Sequence, residues 1–139
     1  MYSDSELAET IVSLRDPDPS ERAVMLKALW AWPSQDERLL PYIHGLLEDT
    51  APCVFGSPMR FGEIRWLAAQ VIFAEFKARQ RRDFVRLEGA IKPLSSDELM
   101  ALAQKAGIVC DASLPALLSA FVELQRLGKL PTTILELHL

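Results

Sequence analysis

Histidine and cysteine are scarce in this sequence, with two of each among 139 residues. His44, His138, Cys53 and Cys110 stand far apart, and no CxxC or HExxH spacing joins them. A metal site draws its ligands from a cluster, so neither a metal nor another cofactor is expected. No glycine-rich loop is built to cradle a phosphate. Ser57, in "FGSPMRFG", lacks the G-x-S-x-G frame of a nucleophile elbow and the strand that precedes one. These absences leave no constellation for catalysis. The expectation is a protein that is not an enzyme and has no small-molecule substrate. No apolar run approaches the roughly 18 residues of a membrane span. The N-terminus "MYSDSELAET" is acidic and polar, unlike a signal or transit peptide. A cytoplasmic protein with two free thiols is the reading that follows.

What is present is helix punctuation. "SDSE" places Ser3 and Glu6 in capping-box register, and "SSDE" does the same for Ser95 and Glu98. "DPSE" offers Asp18 as N-cap with Pro19 at the first helical position, and "SQDE" offers Ser34 with Glu37. In each, a side-chain oxygen accepts from an otherwise orphaned N–H at the helix start. The helix after Pro19, "ERAVMLKALWAW", is apolar on nearly every side, which predicts a helix sandwiched between neighbours. Its Trp30 and Trp32 face nearly opposite directions, one toward the core and the other toward the surface or the following connector. In "DERLLPYIHGLLED", Pro41 either kinks the helix or begins it after a lead-in turn. "EIRWLAAQVIFAEFKARQRRD" predicts a further helix touching two layers. Gly107 and Gly128 each suit the left-handed residue that closes a helix, here those near 96–106 and 113–127.

Two segments alternate with a period of two: "FVRLEGAIKPL" from Phe84 and the C-terminal "TTILELHL". Lone strands are unstable, so the two are expected to pair as an antiparallel two-stranded sheet. The fold class is therefore mainly α: a helical part over 1–83, followed by a β-α-α-β part over 84–139 packed on it as one body.

Charge is uneven. Residues 1–50 carry ten acids against four bases, whereas residues 51–92 carry eight bases against four acids. The basic middle contains Lys77, Arg79, Arg81, Arg82 and Arg86. These read either as a solvated helix end complementing the helix dipole or as a phosphate-binding patch. The net charge of −4 weighs against nucleic acid.

Residues 18–75 resemble a HEAT-like repeat of the PBS-lyase type. The resemblance rests on "ERAVMLKALWAW", "DERLLPYIHGLLED" and "GEIRWLAAQVI". Asp36, Pro41, Ile43, Leu46, Leu47 and Asp49 fit the second helix of such a repeat. Arg65, Ala68 and Ala69 fit the opening of the next. The resemblance implies a module that binds proteins, less often nucleic acids. The chain departs from the pattern in the connector "TAPCVFGSPMRFGEIR", which is longer than the usual turn between repeats.

An idle linker would be polar, and this one is not. It is expected to form an ordered loop anchored by Phe55 or Phe61. Its aromatics either cover the helices or leave a contact patch at Phe55, Met59, Arg60, Phe61, Glu63 and Trp66. The functional expectation is a protein–protein binding module, in one version an immunity or inhibitor protein. Its acidic N-terminal half would meet a basic partner. The alternative is a nucleic-acid-associated protein using Lys77, Arg79, Arg81, Arg82 and Arg86.

Overall fold

The computed structural model describes residues 2–56, 59–78 and 93–130. They fall into two compact units. The first holds residues 2–53 and 63–78, and the second holds 54–56, 59–62 and 93–130.

The first unit is helical. α1 (Asp4–Leu14) starts as a complete capping box: the Glu6 N–H donates to Ser3 Oγ at 3.1 Å, and the Ser3 N–H donates back to Glu6 Oε1 at 3.4 Å. α2 (Pro19–Ala31) is capped by Asp18, whose Oδ1 accepts from the Ser20 N–H at 2.9 Å. The segment after Trp32 is not one long helix. It is a 3-10 turn at Glu37–Leu39, then α3 (Leu40–Gly45) with Pro41 in its first turn, then a second 3-10 turn at Leu46–Glu48. Pro41 thus begins the α-helical stretch after a lead-in turn, where its missing N–H costs nothing. α4 (Ile64–Ala78) is the centre of the unit, with α2 and α3 packed on it. Its residues Ile64, Leu67, Ala68, Val71 and Ile72 have no exposed surface, and Trp66, Phe73 and Phe76 are buried on other sides. Ala68 and Ala69 are small enough to let neighbouring helices approach closely.

α2 departs from the expectation of a sandwiched helix. Ala23, Leu26 and Leu29 are buried, but Val24 is 61 % exposed and Ala28 and Ala31 are open to solvent. An all-round apolar helix has two faces that sequence cannot rank. Only one of them is covered here.

The second unit contains most of a β-hairpin and two helices. The connector is not a loop. Pro52–Phe55 form β1 and Arg60–Glu63 form β2, and their antiparallel sheet is completed by β3 (Leu94–Ser95) in the order β1-β2-β3. Arg60 lies opposite Ser95, and Phe61 opposite Leu94. The hairpin base continues into the first unit, where the Ile64 N–H donates to the Ala51 carbonyl at 2.9 Å and the Arg65 N–H to the Asp49 carbonyl at 2.8 Å.

α5 (Ser96–Lys105) begins with the Ser95–Glu98 capping box, and α6 (Leu114–Arg126) is capped by Ser113. Both helices end in the same way. Gly107 (φ 75°) and Gly128 (φ 67°) adopt the left-handed conformation. The N–H groups of Ile108 and Lys129 then reach back to the carbonyls of Ala103 and Leu124, at 2.8 and 2.9 Å. This is the Schellman arrangement, which satisfies carbonyls that a helix end leaves open. The core of the unit joins Phe61 and Leu94 to Leu99, Leu117, Phe121 and Leu124.

The structure is thus mainly helical with a small antiparallel sheet, but the described strands are not those the alternation pointed to. The segments 84–92 and 132–139 lie outside the described residues, as does the expected boundary at 83/84. The tip of the connector belongs with residues 93–130 rather than with the helical part. Among the described residues no helix is long and apolar enough to cross a membrane.

Candidate functional site

The six connector residues expected to form a contact patch divide sharply. Met59 is 38 % exposed and Arg60 is exposed. Phe55, Phe61, Glu63 and Trp66 are buried. Phe61, with no exposed surface, takes the position expected of an anchor. Glu63 accepts from Arg65 Nε at 2.6 Å, and the Arg65 guanidinium lies 5.8 Å from the centre of the Trp66 ring. The expected patch therefore reduces to Met59 and Arg60. The aromatic content of the stretch serves the interior instead.

Lys77 lies in α4, whereas Arg79, Arg81, Arg82 and Arg86 are outside the described residues. Beside α5 lies an open cleft of about 530 Å³, lined by Leu94, Glu98, Ala101, Leu102, Gln104 and Lys105. Among the described residues lining it there is no nucleophile paired with a base and no pair of carboxylates. Among the described residues, no group of three or more His, Cys, Asp or Glu is placed to hold a metal ion.

The most developed polar arrangement is buried in the first unit, and sequence reasoning missed it. Glu75 has no exposed surface. Its Oε1 accepts from the Ser34 N–H at 2.7 Å and from Ser34 Oγ at 2.8 Å, and its Oε2 accepts from the Gln35 N–H at 2.9 Å. Ser34 Oγ in turn accepts from the Asp36 N–H at 3.1 Å. Ser34 is therefore not the cap of a capping box with Glu37. It is engaged by a carboxylate 41 residues away, and Asp36 caps the 3-10 turn in its place. Gln35 sits at φ 53°, a left-handed conformation that side chains with a Cβ adopt at a cost of about 1 kcal/mol. Glu75 holds the two successive N–H groups, of Ser34 and Gln35, that lead into this residue.

Asp36 is the second node. Its carboxylate accepts from Arg38 Nε at 3.0 Å, Arg38 Nη2 at 2.8 Å and the Tyr2 N–H at 3.2 Å. Arg38 also reaches the Tyr2 carbonyl at 2.8 Å and Asp4 at 3.2 Å, which ties the start of α1 to this turn. The hydrogen bond from the Arg38 side chain holds the Asp36 carboxyl well below the usual carboxylate range, against the opposing effect of burial. A carboxylate whose folded-state pKa is depressed adds stability above its unfolded-state pKa of about 3.9, and that stability is lost as pH falls. Lowering pH from 7 to 3 is therefore expected to depress the melting temperature of the wild type more than that of Asp36→Asn. Parallel decreases in the two proteins would show that the pair carries no acid sensitivity.

The two thiols differ. Cys53 is buried in β1, and burial pushes its thiol up to about 12. Cys110 is partly exposed, and its Sγ contacts the Asp111 carbonyl at 3.2 Å. Thiolate is the reactive form. A thiol titration at pH 8 is expected to find one reactive cysteine in the native protein and two in denaturant, with Cys110→Ser removing the native signal. Fast modification of Cys53 in folded protein would contradict its placement.

The outer face of α2 is the other feature that sequence left open. Val24, Ala28 and Ala31 recur at the spacing that aligns residues along one helix face. Trp32, the C-cap residue, is 80 % exposed. Trp30 is 39 % exposed, so neither tryptophan of the pair is a core residue. No protein-family model, curated protein or solved structure matches the chain.

Proposed function

We propose that the protein is a non-enzymatic protein–protein binding module of the cytoplasm, of immunity or inhibitor type, built on a HEAT-like helix pair. The observation that carries the reading is the outward face of α2, where Val24, Ala28 and Ala31 lead to the exposed Trp32. An apolar stripe ending in tryptophan is the composition that binding hot spots favour. The HEAT-like part of the reading draws on contacts at the turns. Asp49 accepts from Arg22 Nε at 2.9 Å, and its carbonyl accepts from the backbone N–H of Arg65, whose guanidinium pairs with Glu63.

The test compares immobilised wild type with Trp32→Ala. A partner captured by the wild type and then purified is expected to bind in calorimetry. Trp32→Ala should lose about 2 kcal/mol, or roughly thirtyfold in affinity. The same substitution should alter stability by about half a kcal/mol or less, because the side chain is largely solvated. A purified partner that binds both proteins equally would remove α2 from the interface.

A further inference from the structure

We propose that a second copy of this chain docks on the outer face of α5, the two helices crossing antiparallel about a two-fold axis at Ala101. The inference is independent of what α2 binds. Ala101 lies at the centre of the exposed side of α5. Leu99 and Ala103, on the opposite side, have no exposed surface, whereas Asp97, Glu98, Gln104 and Lys105 flank Ala101 and are exposed. Two clefts run along this side and share Ala101 and Gln104, the ridge between them. The cleft of about 530 Å³ has Leu94, Glu98, Leu102 and Lys105 on its flank. The other, of about 490 Å³, has Asp97, Met100, Ile108 and Val109. Val109 is fully exposed, and Met100, Leu102 and Ile108 are half-buried. A low ridge between two partly apolar furrows is thus bordered by charge.

The order of those charges selects the occupant. Asp97 and Glu98 precede Ala101, and Lys105 follows it. A basic segment laid on this face would meet Lys105, and an acidic segment or a nucleic acid would meet Asp97 and Glu98. A partner fits when its charges run in the opposite order. An antiparallel copy of α5 has that order by construction. Glu98 lies three residues before Ala101 and Lys105 four after it, on the same flank. The two-fold operation therefore sets Glu98 within about 2 Å, along the helix axis, of Lys105 of the second copy. That contact occurs twice. Glu98 Oε1 accepts from the Ser95 N–H at 3.4 Å, which leaves its other oxygen for the lysine. On the opposite flank the same operation brings Asp97 beside Gln104 of the second copy. The other charged residues in the described part of this unit, Arg60, Asp111, Glu123, Arg126 and Lys129, line neither cleft.

The dimensions agree. Only methyl groups meet where Ala101 faces its counterpart, so the helices can approach to about 8 Å between axes. Each furrow then closes against its own counterpart, which covers Leu102 on one flank and Met100 and Val109 on the other. One helix face is smaller than a standard interface of about 1,600 Å², and the net charge of −4 on each copy opposes association at long range. The dimer is accordingly weak and concentration-dependent. It carries two α2 faces, which lets a partner with repeated sites bind with avidity.

Sedimentation velocity of the full chain, over a concentration series, is expected to show a monomer–dimer equilibrium. Ala101→Arg should raise the dissociation constant at least about tenfold with unchanged circular dichroism, because two guanidinium groups then meet at the axis. Lys105→Glu and Glu98→Lys should each weaken self-association to a similar degree, since each places like charges together twice. Mixed with one another, these two variants should form a heterodimer of wild-type affinity, because every glutamate then meets a lysine. Glu98→Lys also loses its capping box, but a helix that is merely weakened produces no such rescue. A monomer at every concentration, a dimer indifferent to Ala101→Arg, or a mixture that fails to recover would overturn the proposal. So would a dimer that Trp32→Ala dissolves, because the contact would then lie on α2.

Discussion

Replacing Glu75 with alanine is expected to destabilise the protein by about 2–4 kcal/mol, because it takes the acceptor away from buried hydrogen-bond donors. The side chain has no exposed surface, and its two oxygens take the N–H and hydroxyl of Ser34 and the N–H of Gln35. Ser34 is itself buried, so truncation leaves its donors without an acceptor, at about 1–3 kcal/mol for each buried group left unmade. The clamp also holds Gln35 at φ 53°. Without it, the turn between α2 and the first 3-10 element has no reason to keep a left-handed residue. Glu75→Gln is expected to fall between wild type and alanine, because the amide keeps one acceptor and turns a donor toward N–H groups that need none. Gln35→Gly in the Glu75→Ala background should return part of the loss, since glycine adopts positive φ without a Cβ penalty. Urea unfolding monitored by tryptophan emission measures all three. A loss below about 1 kcal/mol for Glu75→Ala would mean that the carboxylate is incidental to the turn.

The same network shows where sequence reasoning runs out. Caps at Ser3, Asp18 and Ser95, and glycines at 107 and 128, were legible because their partners lie within five residues. Ser34 offered the same local pattern and misled, because its acceptor lies 41 residues away in α4. Nothing between them in the chain predicts that meeting. α2 failed for a different reason. Its sequence is apolar on both faces, which tells how much surface there is to cover and not how much is covered. The connector failed for a third. Four-residue strands, Pro52–Phe55 and Arg60–Glu63, are too short for alternation to stand out. Aromatic residues beside glycines read equally well as a presented patch or a buried corner. Phe55, Phe61 and Trp66 proved to be interior, so the sharper reading of that patch was lost on burial alone. The exposed Trp32 had been one of two undecided tryptophans.

Phe61→Ala is expected to produce the largest loss in the second unit, about 3–5 kcal/mol, typical of truncating a buried phenylalanine. Phe61 has no exposed surface and packs in the cluster of Leu94, Leu99, Leu117, Phe121 and Leu124. It also stands opposite Leu94 across the β2–β3 pair. β3 is only two residues long, so its backbone hydrogen bonds alone are a weak hold on the hairpin. The ring supplies what the short ladder lacks: it fixes β2 by burial and gives α5 and α6 an apolar surface to close on. This accounts for a connector too apolar to be a linker. Its tip is a structural part of the second unit, inserted from the middle of the first. Met59→Ala and Arg60→Ala, on exposed residues of the same hairpin, should each change stability by about half a kcal/mol or less. The readout can separate the units. All three tryptophans, Trp30, Trp32 and Trp66, belong to the first unit, so their emission follows it. Far-ultraviolet circular dichroism follows helices in both. In Phe61→Ala the dichroism midpoint is expected to fall below the emission midpoint, as α5 and α6 lose their core while α4 keeps its own. Glu75→Ala, acting in the first unit, should lower the emission midpoint first. Coincident midpoints in both variants would show that the two units unfold as one, and an unshifted Phe61→Ala would show that the hairpin is not anchored through its ring.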